Sequence, residues 1–257
     1  MELSSLPDDD CFVKMKKHLR YLYLENCPSF KKLTDSICKM QNLQSLYLDE
    51  FPKNMKYLIH LQYLFLMGIK ITSLSSMNIG RFQQLKFLYL QCPKLVSVPS
   101  AVGRLTTLKK LGLLWCEELM NFEDEEEEGK QHVVLNALPK WLERATKLQY
   151  LSISITGIKS LPTRLSMTSL EELYIYHCKN LSSLPNMDQT HHLQYLVVYD
   201  CPALYAKYNK ETGPDWSKIA HIPHCKIDED DDNDDDGDGD DDDDDEEFMT
   251  MMKMMIE

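Results

Sequence analysis

Three stretches of the chain carry residue types that could do chemistry. The segment HIPHC, His221–Cys225, sets two histidines and a cysteine within five residues, and these are ligand types that zinc takes. A structural zinc site needs four such ligands. No second pair stands at the usual spacing, and only His191 and His192 would lie near if the chain folds back on itself. The run DNDDDGDGDDDD, Asp232–Asp243, fits the calcium-loop spacing, with Asp243 where a bidentate glutamate is preferred. Inside an almost uninterrupted aspartate run such a match follows from composition alone. A solvated acidic segment is the better reading, with binding of divalent cations or basic proteins as the alternative. The third stretch type is cysteine, present eight times. No nucleophile, base and orienting group assemble anywhere, and no segment fits the phosphate loop GxxxxGK[ST]. Catalytic residues, cofactor and metal are therefore not expected.

What positions these residues is a repeat. The phrase LxxLxL, with isoleucine or valine allowed last, starts at Leu19, Leu43, Leu61, Leu85, Leu108, Leu148, Leu170 and Leu193. The intervals are 24, 18, 24, 23, 40, 22 and 23 residues, and 21 of the 24 skeleton positions are leucine. An unrelated globular chain would not fill phased positions so uniformly, so the repeat governs the fold. In a strand alternate side chains face opposite ways, so the second and third leucines of each phrase share one side. About 23 residues then return the chain to start a parallel strand alongside, and coils with one apolar edge each must stack to bury it. Proline turns close several coils, as in LVSVP at Leu95–Pro99 and LSSLP at Leu181–Pro185.

The cysteines fit this frame. Cys27, Cys116, Cys178 and Cys201 fall three residues after the last skeleton aliphatic, and Cys92 falls one residue early. One buried thiol per coil is the expectation, in preference to a metal cluster or disulfide set. The absence of a secretory apolar run near the start agrees with reduced thiols in the cytosol or nucleus. No stretch is apolar for the roughly 18 residues of a membrane span.

The net charge of −13 is unevenly spread. Residues 228–257 hold 18 acids and one base, which leaves 23 acids and 27 bases in residues 1–227, a net of +4. A second acidic run, Glu123–Glu128, lies in the 40-residue interval and reads as an insertion between coils.

The positions flanking each second leucine face away from the core. Ten of those 16 positions are aromatic, out of 24 aromatics in the chain. They are Tyr21, Tyr23, Tyr47, Tyr63, Phe65, Phe87, Tyr89, Tyr150, Tyr174 and Tyr195, with Trp115, Tyr176 and Tyr199 close by. Such a stripe on a water-facing sheet reads as a protein-docking surface, because tyrosine and tryptophan dominate interface hot spots. Cross-strand stabilisation of the sheet by the same rings is the competing reading.

The Leu-x-x-Leu-x-Leu phrase with its cysteine resembles leucine-rich repeats. The ending CPALYAKYNKETGPDWSKIAHIPHCKID, Cys201–Asp228, with LPKWLERATKLQYLSI at Leu138–Ile153, is similar to the C-terminal repeats of plant intracellular nucleotide-binding disease-resistance proteins of the coiled-coil class. The pattern GxDWxKIxHIP, from Gly213 to Pro223, is its most specific part. The resemblance implies an α/β leucine-rich-repeat solenoid with a parallel sheet on its concave face. It also implies that Trp216 and Ile219 cap the last coil. Residues 1–18 read as a partial first repeat, 19–227 as about eight repeats with an acidic insertion near 121–134, and 228–257 as an acidic tail. What it implies for function is protein recognition in plant immunity. The partner would be a pathogen effector, a guarded host protein or a nucleotide-binding domain supplied in trans, and not nucleic acid. The alternative is an acidic-tailed repeat protein that binds basic clients such as histones.

Overall fold

The structure, a computed structural model, describes residues 18–24, 40, 42–48, 55–119, 121–122, 138–155, 157–162, 169–187 and 190–228. Each LxxLxL phrase forms one strand. These are β1 (Tyr21–Leu24), β2 (Ser45–Leu48), β3 (Tyr63–Met67), β4 (Phe87–Gln91), β6 (Lys110–Leu113), β8 (Tyr150–Ile153), β9 (Glu172–Tyr176) and β10 (Tyr195–Tyr199). They pair in parallel in chain order, and a ninth strand, β11 (His224–Asp228), adds to β10. Register follows the skeleton: Leu64 aligns with Leu88, and Leu88 with Leu111. Fixed register is what period-2 side chains demand, since a slip of one residue would turn every leucine outward.

Between strands the chain crosses the convex side in 3-10 turns, among them Ile79–Arg81, Ser100–Arg104 and Lys140–Arg144. Pro99 and Pro139 introduce the last two with extended backbone, the conformation proline brings with its fixed φ. These two turns stack closely: a Cβ on Gly103 would lie 2.6 Å from Cβ of Trp141. On the descending side β5 (Ser97–Val98) pairs with β7 (Asn121–Phe122). The 40-residue interval leaves the main sheet intact, because Lys110 of β6 aligns directly with Tyr150 of β8. Residues 123–137 lie outside the described ones. So do 1–17, with the expected partial first repeat, and 229–257, the expected tail.

The core is one continuous column of skeleton leucines, joined by convex apolar residues such as Phe82, Val102 and Leu142. The described thiols stand where the phrase placed them, and Cys27 lies outside the described residues. Cys92, Cys116, Cys178 and Cys201 are free and buried. Sγ of Cys92 donates to Leu66 O, that of Cys116 to Leu90 O, and that of Cys201 to Ile175 O, at 3.5–3.8 Å. Each thiol thus serves a carbonyl at the end of the preceding strand. Burial pushes the Cys92 thiol up to about 12 and that of Cys116 to about 11.

The C-terminal pattern has a job for nearly every residue. Helix α1 (Pro202–Tyr208) ends at Asn209, whose Oδ1 accepts from the N–H groups of Glu211 and Thr212. Asp215 pairs with Lys218 at 2.8 Å and with Lys207 at 3.5 Å, and Lys218 holds its carboxyl below the usual range. Ile219 and Ile222 are buried in the core, and Trp216 packs against it. The ending is more than the expected cap, because it also supplies β11. No helix among the described residues is long and apolar enough to cross a membrane.

Candidate recognition surface

The concave face is built by the side chains that alternate with the skeleton leucines. Parallel register lines them up in rows across the sheet. One row runs Tyr63, Phe87, Lys110, Tyr150, Glu172, Tyr195, His224. The next runs Phe65, Tyr89, Gly112, Ser152, Tyr174, Val197, Lys226.

These rows divide into two halves. In the first, Phe65, Phe87 and Tyr89 are at most 5 % exposed and pack on one another, with ring centroids 5.9–6.2 Å apart; Tyr63 leans on Phe87 at 5.6 Å. Tyr89 lies flat over Gly112, where an added Cβ would come within 2.4 Å of its ring. Tyr150 is also buried. The expectation that all flanking aromatics face water is therefore corrected for Phe65, Phe87, Tyr89 and Tyr150. Bulky rings beside a glycine and a serine fold into the gap and cover each other, forming a second apolar cluster on the sheet. Lys110 joins the halves, its Nζ 5.1 Å from the centroid of Phe87 and 5.7 Å from that of Tyr150.

The second half is open. Tyr195 is 42 % exposed and stacks on His224 at 4.5 Å. Tyr174 and Tyr176 are half-buried, stacked at 6.3 Å, and the Tyr174 hydroxyl donates to Oε2 of Glu172 at 3.0 Å. Burial above all, and then Glu172 in the case of Tyr174, pushes the phenols of Tyr150 and Tyr174 far above their ordinary range, so both remain hydrogen-bond donors. At the other end Tyr21 is 65 % exposed; β1 holds Tyr23 and β2 holds Tyr47, whose side chains are outside the described ones.

The edge where the strands end carries a feature missed by the sequence reading. Gly68, Trp115, His177 and Asp200 all stand seven residues after the first leucine of their phrase, and all have positive φ, from 44° to 63°. The next residue in each coil, Ile69, Cys116, Cys178 or Cys201, turns into the core. Two of the described coils lack this extra residue, and there the core residue, Cys92 or Ile155, occupies position seven itself. The signal was present in the one-residue offset of Cys92. Because the β8 coil displays nothing at this position, Trp115 and His177 close over it, with ring centroids 4.8 Å apart. His177 Nδ1 is 2.8 Å from Oδ2 of the buried Asp200, which Lys179 approaches at 3.5 Å, and Tyr199 meets the imidazole edge-on. Trp115, His177, Tyr199, Tyr176, Tyr174 and Tyr195 thus border one ridged surface on the C-terminal coils.

The HIPHC segment does not converge. Strand alternation in β11 sends His224 onto the concave face and Cys225 toward the core, while His221 meets the Thr190 hydroxyl at 3.1 Å. Among the described residues no group of three or more His, Cys, Asp or Glu side chains gathers around a metal-sized point.

Comparison with known proteins agrees with the fold and the resemblance. Residues 102–201 match the family described as R13L1/DRL21 leucine-rich repeats. The chain is 29 % identical over 198 residues to disease resistance protein RPS4B of Arabidopsis thaliana, covering 73 % of this chain and 16 % of that protein. To a putative disease resistance protein of the same plant it is 27 % identical over 207 residues, covering 74 % and 17 %. It therefore spans about a sixth of the length of these relatives. Among solved structures, a leucine-rich-repeat protein of Leptospira interrogans superposes with a TM-score of 0.50 at 25 % identity, covering 75 % of this chain and 57 % of the other. Internalin C2 of Listeria monocytogenes gives 0.51 at 19 %, covering 81 % and 79 %, a likeness of fold alone.

Proposed function

We propose that this chain, whose repeats are similar to those of plant disease-resistance proteins, is a protein-recognition module of plant innate immunity. Its partner is a pathogen effector, a guarded host protein or a nucleotide-binding domain. It acts as a binder and not a catalyst, in the cytosol or nucleus. The observation that carries this reading is the open half of the concave face, where Tyr174, Tyr176, Tyr195 and Tyr199 stand on rigid strands beside Trp115. Aromatics held by a sheet lose little rotamer freedom on binding, so their contact area converts efficiently into affinity. The early rings Phe65 and Phe87 serve stability instead.

The test is a titration of a partner identified by cross-linking in plant tissue. Tyr174→Ala with Tyr195→Ala weakens binding by about thirtyfold or more, the effect of losing a hot-spot residue of about 2 kcal/mol. Its melting temperature stays near that of the parent, whereas Phe65→Ala with Phe87→Ala melts early. Undiminished affinity in the tyrosine pair would sink the reading. If affinity is instead lost when the acids of residues 229–247 are neutralised, the acidic-tailed binder of basic clients is the better description.

A further inference from the structure

The opposite edge of the sheet, where the strands begin, has a chemical character of its own. A continuous backbone ladder marks it: Lys86 N–H donates to Gln62 O, Lys109 N–H to Lys86 O, and Gln149 N–H to Lys109 O. It extends from Arg20, whose carbonyl accepts from Gln44 N–H, to Gln194, whose carbonyl accepts from His224 N–H. The side chains of this row project past the end of the sheet, and strand spacing sets them about 4.8 Å apart. Arg20, Lys86 and Lys109 belong to it, Lys147 stands beside it, and all four are exposed. Its one acid is Glu171, which accepts a hydrogen bond from Gln149 at 2.8 Å. None of the four cations makes an ion pair with a described residue.

At the Arg20 end the edge opens into a cleft of about 290 Å³ lined by His18, Arg20, Asn42, Gln44, His60 and Gln84. Among the described residues no carboxylate lines it. The Gln84 amide donates to His60 Nδ1 at 3.1 Å, which places the imidazole proton on Nε2 as a further donor. Donors without acceptors of full charge, in a row, suit an extended polyanion.

The same chain contains one. Sixteen of the 19 residues in 229–247 are Asp or Glu, directly after β11. Fully extended, 19 residues reach about 60 Å. Running back along the length of β11 uses about 15 Å, and the remaining 45 Å exceeds the roughly 38 Å from β11 to β1. We propose that the acidic segment 229–247 lies along the strand-start edge of its own solenoid, its carboxylates facing Arg20, Lys86, Lys109 and Lys147. Single exposed pairs contribute little, but a tethered segment acts at an effective concentration in the millimolar range, and several weak pairs then add. The contact is screened by salt. It is independent of the aromatic surface and of the immune reading.

Lysine acylation of the full chain, followed site by site by mass spectrometry, tests this. Lys70 and Lys159, exposed on other faces, are the internal reference. At low salt Lys86, Lys109 and Lys147 react at least about threefold more slowly than the reference, and about 0.5 M salt removes the difference. A full-length variant with the acids of 229–247 changed to Asn and Gln, which leaves the folded coils untouched, shows no difference at either salt. Equal relative rates in parent and variant at low salt overturn the proposal. So does protection spread evenly over the reference lysines, which would be general screening. Protection that grows with protein concentration overturns it in favour of contact between copies.

Discussion

Trp115 shows what single residues contribute and what the sequence conceals. A left-handed backbone costs a non-glycine residue roughly 1–2 kcal/mol, and bulky residues seldom adopt it. Trp115 does so at φ 50° and is compensated by the His177 ring, which Asp200 holds in place. Trp115→Ala loses the ring contact and keeps the strain. Trp115→Gly loses the contact and relieves the strain, so the glycine variant is more stable by about 0.5–1 kcal/mol in urea unfolding. Equal stability would mean that the left-handed turn relaxes once the indole is gone. The period-2 rule correctly sent Tyr89 and Tyr150 to the concave side. It could not show that they are buried there, because that depends on the small Gly112, on the strand between them, and register between coils fixes who the neighbours are.

At the scale of elements the cysteine row is the clearest carry-over from sequence to structure, since a fixed offset from three leucines fixes where a side chain points. Its thiols also make stability depend on pH. In the unfolded chain a thiol ionises near 8.5, whereas burial keeps Cys92 protonated up to about 12 and Cys116 up to about 11. Above 8.5 the folded state binds more protons than the unfolded one, so stability falls as pH rises. The contribution is complete below about pH 8.5 and is lost on the way to about 12. Cys92→Ala with Cys116→Ala has a lower melting temperature at pH 7 but a shallower decline between pH 8 and 10.5. Parallel pH profiles for parent and variant would contradict the assigned burial. The ninth strand, by contrast, was missed. Ile222, Cys225 and Ile227 keep the skeleton spacing without a single leucine, so the phrase goes unnoticed until Cys225 and Ile227 align with Leu196 and Val198 of β10.

For the whole molecule, a solenoid adds coils without changing the contacts of the coils already present. The long interval before Tyr150 demonstrates this, since β6 and β8 still pair in parallel over four residues, in the register of the other coils. A smaller change of length is written into the strand-end edge. Coils with a left-handed residue at position seven and coils without it hold the same core position, so the extra residue is a removable unit. Deleting Trp115 should let Cys116 take the place that Cys92 occupies in its coil. Cooperative melting should survive, with a loss of no more than about 4 °C. Deleting Leu111 from the same coil should abolish the folded state. If the two deletions are equally damaging, the offset between coils is not interchangeable. If they differ as expected, the edge can gain and lose displayed side chains one codon at a time, and its contour can drift through short insertions and deletions while the leucine column stays in frame.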